Sequence, residues 1–116
     1  MKPPEKRRDA DYLQDMMTHA EMAITFVAGM DFSTFEKDLK TVHAATHCIQ
    51  IVGEASIHLT QQIKDSLPAI QWHQIRGMRN LLVHAYHNAD SEIIFVTIRD
   101  RLPNLIHTIR TYLERS

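Results

Sequence analysis

Cysteine, glycine and proline are scarce: the chain holds one, three and four of them. A single cysteine, Cys48, excludes an internal disulfide. A thiol inside an apolar repeat reads as core filling, and a reducing, cytoplasmic setting is expected. So little glycine and proline, beside frequent Ala, Leu, Met, Gln, Glu and Lys, favours helices over strands. No apolar run is long enough to span a bilayer, and the charged start Met1–Arg8 is not followed by a signal-peptide core. A basic surplus is also missing: the formal net charge is -1. Nucleic acid can then be held only by a local basic cluster, or by one doubled in a dimer. What stands out instead is histidine, with eight residues.

The 116 residues suit one all-α domain with one core. Residues 1–8, with Pro3 and Pro4, form a tail expected to fray. Asp9 is expected to cap a first helix carrying Leu13, Met16, Met17, Ala20, Ile24 and Val27 at helical spacing, with Gly29 as its stop. Ser33 and Glu36 have capping-box spacing for a short turn. A second helix, about Asp38 to Lys64, bears the seam Val42, Ala45, Ile49, Val52, Ser56, Leu59 and Ile63, ended by Ser66 and Pro68. A third runs from near Trp72 to about His87, and Asn88–Ser91 is a polar break. A fourth starts near Glu92 and kinks or restarts at Pro103. Short connections make this an up-and-down antiparallel bundle of four main helices.

The third helix carries the chemical signal. On a helical wheel, Ile75, Met78, Leu81, Leu82 and Ala85 form the core face. His73, Arg76, Arg79, Asn80, His84, Tyr86 and His87 occupy the other half, without a single carboxylate. These side chains bind anions and move protons, where an ordinary solvated face would mix Lys with Glu. Asn80 and His84 share one stripe, and Arg79 and Tyr86 share another. A phosphate over the face is within reach of both.

The segment Arg79-Asn80-Leu81-Leu82-Val83-His84-Ala85-Tyr86 resembles the signature of HEPN-domain ribonucleases, and its tyrosine resembles the HepT branch. Ile51-Val52-Gly53-Glu54-Ala55 is similar to that branch as well. So are Pro68, Trp72, Gly77, Met78, Asp100, Leu102 and Pro103. Leu81, Ala85 and His87 depart from its usual pattern. The resemblance implies a homodimer with facing motif helices and a metal-independent RNA endonuclease that needs no cofactor. It also implies a nucleotidyltransferase antitoxin partner that adds AMP to Tyr86, the chain being the toxin.

RNA supplies its own nucleophile, the ribose 2′-hydroxyl. Histidine suits proton transfer, which falls to His84, and arginine suits phosphate, which falls to Arg79. Asn80 orients either, two His84 side chains in a dimer serve as base and acid, and the product ends in a 2′,3′-cyclic phosphate. Arg76, His73 and His87 are weaker RNA contacts. Glu54 either braces Arg79 or Arg76 or stands exposed. Trp72 is a packing anchor, and Arg7 and Arg8 are solvated charges or RNA guides.

Two other readings compete. One is a non-catalytic helical module that presents a substrate to a nucleotidyltransferase. The other is a metal-binding bundle using the polar stripe His43, His47, Gln50, Glu54, His58 and Gln61, although the ligand spacing there is unconvincing and no metal is expected.

Overall fold

The computed structural model describes residues 7–84 and 91–115, apart from the side chains of Val83 and His84. In chain order the described helices are α1 (Asp9–Val27), α2 (Phe32–Lys37), α3 (Leu39–Ile57), α4 (Gln61–Ser66), α5 (Trp72–His84), α6 (Ser91–Asp100) and α7 (Leu102–Arg115). No strand occurs among the described residues. The class is therefore all-α, and its long elements are the bundle helices the periodicity predicts.

α1 and α3 form the centre. Leu13, Met16, Ala20 and Ala23 of α1 face Ala45, Cys48, Ile49 and Val52 of α3, and all are buried. Small residues on both helices permit close approach. α7 closes the other side of α1 with Leu102, Leu105, Ile106 and Ile109. From α2, the fully buried Phe35 packs against Phe95 of α6 with ring centroids 5.2 Å apart.

Several local details differ from the sequence expectation. Asp9 is the first residue of α1 and not its cap. Its carboxylate instead accepts from the Thr60 backbone at 3.0 Å and the Thr60 hydroxyl at 2.6 Å. Thr60 in turn caps α4, its oxygen accepting from Ile63 N. That extended residue breaks the expected second helix into α3 and α4, although Leu59 and Ile63 still continue the buried seam. α2 is capped by Asp31, which accepts from Thr34 N, and not by Ser33. Asp38 caps α3 in the same way through Thr41 N. The Thr34 amide holds the Asp31 carboxyl below the usual carboxylate range, and the Thr41 amide does so for Asp38. Gly29 does stop α1: its φ of 79° lies where only glycine sits without strain.

Pro103 lies in the first turn of α7, where no backbone donor is needed, so the chain restarts after Arg101 as expected. Arg7, expected in a fraying tail, is held: it pairs with Asp15 at 2.8 Å and lies over the Tyr12 ring. The polar break Asn88–Asp90 and residues 1–6 lie outside the described residues.

α5 is the peripheral helix. Among the described helices it leans chiefly on α3. Its start is pinned by Trp72, whose Nε1 donates to the carbonyls of Lys64 and Leu67 at 3.1 and 3.2 Å. Arg101, between α6 and α7, donates to the side-chain carbonyls of Gln71 and Gln74. Leu82 is buried, and Ile75 and Met78 are partly buried. Leu81, expected in the core, is 37% exposed because among the described residues α5 packs chiefly against α3, on its other side.

Candidate active site

α5 presents His73, Arg76, Gly77, Asn80 and Leu81 to solvent, and no acidic residue occurs between Trp72 and His84. The carboxylate-free face expected from sequence is thus an exposed surface of the fold. Arg79 sits at its edge, half-buried against α3.

Gly53 determines how closely Arg79 can approach. A Cβ added at Gly53 would lie 2.6 Å from the Arg79 Cβ and 2.9 Å from its Cγ. Any side chain there would force α3 and α5 apart. The glycine therefore serves close helix approach and not a special backbone conformation. One residue on, Glu54 accepts from Arg79 Nε at 2.6 Å. The choice left open by the sequence is resolved: Glu54 braces Arg79 and not Arg76, while staying half exposed itself.

Arg79 makes a second bond, from Nη1 to Asn80 Oδ1 at 3.0 Å. A guanidinium has five N–H donors. Two are used among the described residues, and those remaining there include both on Nη2. Asn80 uses its oxygen in this bond, so its exposed amide group is left with donors. The pair is a surface of hydrogen-bond donors with a permanent positive charge, which suits a phosphate oxygen.

The backbone of α5 continues through His84, five residues beyond Arg79. The His84 side chain, together with Ala85, Tyr86 and His87, lies outside the described residues. Arg76 and His73 are exposed, and Arg76 has no ion pair among the described residues.

The histidine stripe does not hold together as expected, because α3 ends at Ile57. His43 and His47 are exposed on α3, whereas His58, beyond its end, stacks on Tyr12 with ring centroids 5.0 Å apart. Gln61 belongs to α4 and donates to Asp65 at 2.9 Å. Among the described residues no three His, Cys, Asp or Glu side chains converge as metal ligands would.

A cleft of about 560 Å³ opens on the other edge of α5, lined by Ile49, Val52, Ile75, Met78, Ile93 and Leu105 among others. Its walls are mostly apolar, with Gln71, Gln74, Asp100, Arg101 and Asn104 as polar lining, and the Asp100 carboxylate there does not favour a polyanion. The donor surface around Arg79 matches a phosphate oxygen better than that cleft does. Gly53 was noticed in the sequence only through resemblance, and Glu54 through resemblance and as the carboxylate of the polar stripe. The available signal was a glycine interrupting a helical seam beside a lone carboxylate.

Among the described residues no helix is long and apolar enough to cross a membrane. The chain is similar to known proteins over most of its length. A Thermococcus cleftensis protein named for ribonuclease HepT is 33% identical over 100 residues, covering 86% of this chain and 91% of the relative. A Caldanaerobacter subterraneus subsp. tengcongensis protein named as an RNase is 30% identical over 104 residues, covering 90% and 93%. No solved structure matches the chain. Residues 16–112 match the family described as ribonuclease HepT-like, and the chain belongs to that ribonuclease family.

Proposed function

We propose that this ribonuclease is a metal-independent RNA endonuclease whose reaction is carried by Arg79 and His84, with Asn80 assisting. The observation that carries this reading is the braced Arg79–Asn80 donor surface on an exposed, acid-free helix. Arg79 stabilises the charge that builds on the phosphorane. His84 takes the proton of the 2′-hydroxyl as its oxygen bonds to phosphorus. The bond from phosphorus to the 5′-oxygen breaks, and His84 of a second copy returns a proton to that oxygen. The product then carries a 2′,3′-cyclic phosphate, and no cofactor takes part.

A homodimer through α5 brings two such faces together. It is supported by the exposed Leu81 and by the packing of α5 chiefly against α3 among the described residues. In the cell the chain acts as the cytoplasmic toxin of a toxin–antitoxin pair, and its nucleotidyltransferase partner silences it by adding AMP to Tyr86. His73, Arg76 and His87 hold flanking RNA.

The test is cleavage of single-stranded RNA in excess EDTA by wild type, Arg79→Ala and His84→Ala, with light scattering for the assembly. The wild type is expected to be dimeric and active, and both variants inactive with nearly unchanged helicity. Cleavage that stops in EDTA, or either variant at the wild-type rate, refutes the mechanism. A monomer that still cleaves RNA refutes the two-histidine arrangement.

A further inference from the structure

We infer that Glu54 is a positioning residue for RNA cleavage: it holds Arg79 by Nε so that the outer edge of the guanidinium meets the phosphate. The inference rests on the reading above, in which Arg79 carries the phosphate.

Where the carboxylate binds is the first observation. Glu54 takes Nε, the donor nearest the side-chain stem, at 2.6 Å, and Asn80 takes one N–H of Nη1. Among the described residues both N–H groups of Nη2 remain without a partner. A carboxylate that competed with phosphate would occupy the outer pair. Arg99 shows a fuller engagement, spending both Nε and Nη2 on Asp100.

The second observation is that the brace has a fixed base. Glu54 follows Gly53, the point at which α3 touches the Arg79 stem. Stem and head of Arg79 are thus both referred to one helix, which is itself buried at Val52, Ala55 and Ser56. An arginine on the exposed face without such a partner, as Arg76 is, samples many rotamers. A guanidinium held in one orientation meets the transition state without that ordering cost, so the effect belongs in turnover more than in binding.

Steady-state cleavage of a fluorogenic RNA oligonucleotide in EDTA tests this with Glu54→Ala, Glu54→Gln, Arg79→Ala and the Glu54→Ala/Arg79→Ala double variant. Glu54→Ala is expected to lower kcat about tenfold or more while KM moves by less than about threefold. Glu54→Gln, whose amide oxygen still accepts from Nε, recovers most of that loss. The double variant is no slower than Arg79→Ala, because Glu54 acts only through Arg79. The Arg79 Nε–H resonance is protected from solvent exchange in wild type and in Glu54→Gln, and it loses that protection in Glu54→Ala.

Glu54→Ala at the wild-type rate, with Arg79→Ala inactive, overturns this inference alone. A lower KM and faster cleavage in Glu54→Ala also overturns it, since Glu54 then competes with the phosphate. An Arg79 Nε–H that stays protected from solvent exchange in Glu54→Ala assigns Glu54 a role apart from Arg79 and overturns it too. Arg79→Ala at the wild-type rate removes the reading on which it rests, and the inference with it.

Discussion

Replacing Gly53 with alanine adds one methyl at the tightest point between α3 and α5. In the present geometry its carbon would sit 2.6 Å from Arg79 Cβ, 2.9 Å from Cγ and 3.4 Å from Cα. Carbon atoms pack comfortably at about 3.5–4.0 Å, so α5 must retreat by about 1 Å at Arg79. Overpacking of this kind costs about 1–3 kcal/mol. The same substitution gains about 1 kcal/mol of helix propensity. The net loss is therefore about 0–2 kcal/mol, which for a domain of this size lowers Tm by at most about 10 °C. Activity should fall much further, because a displacement of about 1 Å costs on the order of 10²-fold in rate. The control is Gly77→Ala, where an added Cβ meets nothing within 4 Å. Within one chain only the propensity gain remains there, and the Tm of the monomer should rise by several degrees (about 1 kcal/mol). Thermal melts and RNA cleavage on both variants decide the matter. If Gly53→Ala melts as far above wild type as Gly77→Ala does, and cleaves RNA at the wild-type rate, close helix approach does not position Arg79.

Thr60→Ala removes the α4 cap and the hydrogen bond to Asp9 together, and a loss of about 1–2 kcal/mol is expected in urea unfolding. A double-mutant cycle with Asp9→Ala should give a coupling of at least about 0.5 kcal/mol, and strict additivity would contradict the contact. Co-expression with the partner nucleotidyltransferase should add one or more AMP masses to the chain and abolish cleavage, because the new phosphate competes with RNA for Arg79 and Arg76. Tyr86→Phe should escape the modification, so intact-mass spectrometry finding AMP on Tyr12 or Tyr112 instead would refute this route of control.

The helical class, the stops at Gly29 and Pro68 and the restart at Pro103 were legible in the sequence because each follows from local backbone chemistry. So was the acid-free face of α5, since which residues share a helical face depends only on a period of 3.6. Caps were less legible. Asp9 sits where a cap belongs, yet its carboxylate reaches Thr60, 51 residues away, and no local pattern records such a partner. The same contact divides the predicted second helix, whose seam is unbroken in sequence. Leu81 is apolar and on the expected core side, but among the described residues α5 leans chiefly on α3, and one principal neighbour does not cover its whole apolar arc.

The sequence by itself determined the helical class and the chemistry of the α5 face: from Trp72 to His84 its polar residues are donors and imidazoles, with no carboxylate. Only the tertiary structure decided which of them are held. Glu54 had two arginines within helical reach, and the α3–α5 crossing at Gly53 selects Arg79 by bringing its stem against the glycine and its Nε within 2.6 Å of the carboxylate. That choice depends on the distance and rotation between two helices. These are set by buried side chains elsewhere in the core and by Trp72 pinning the start of α5, and helical periodicity contains neither.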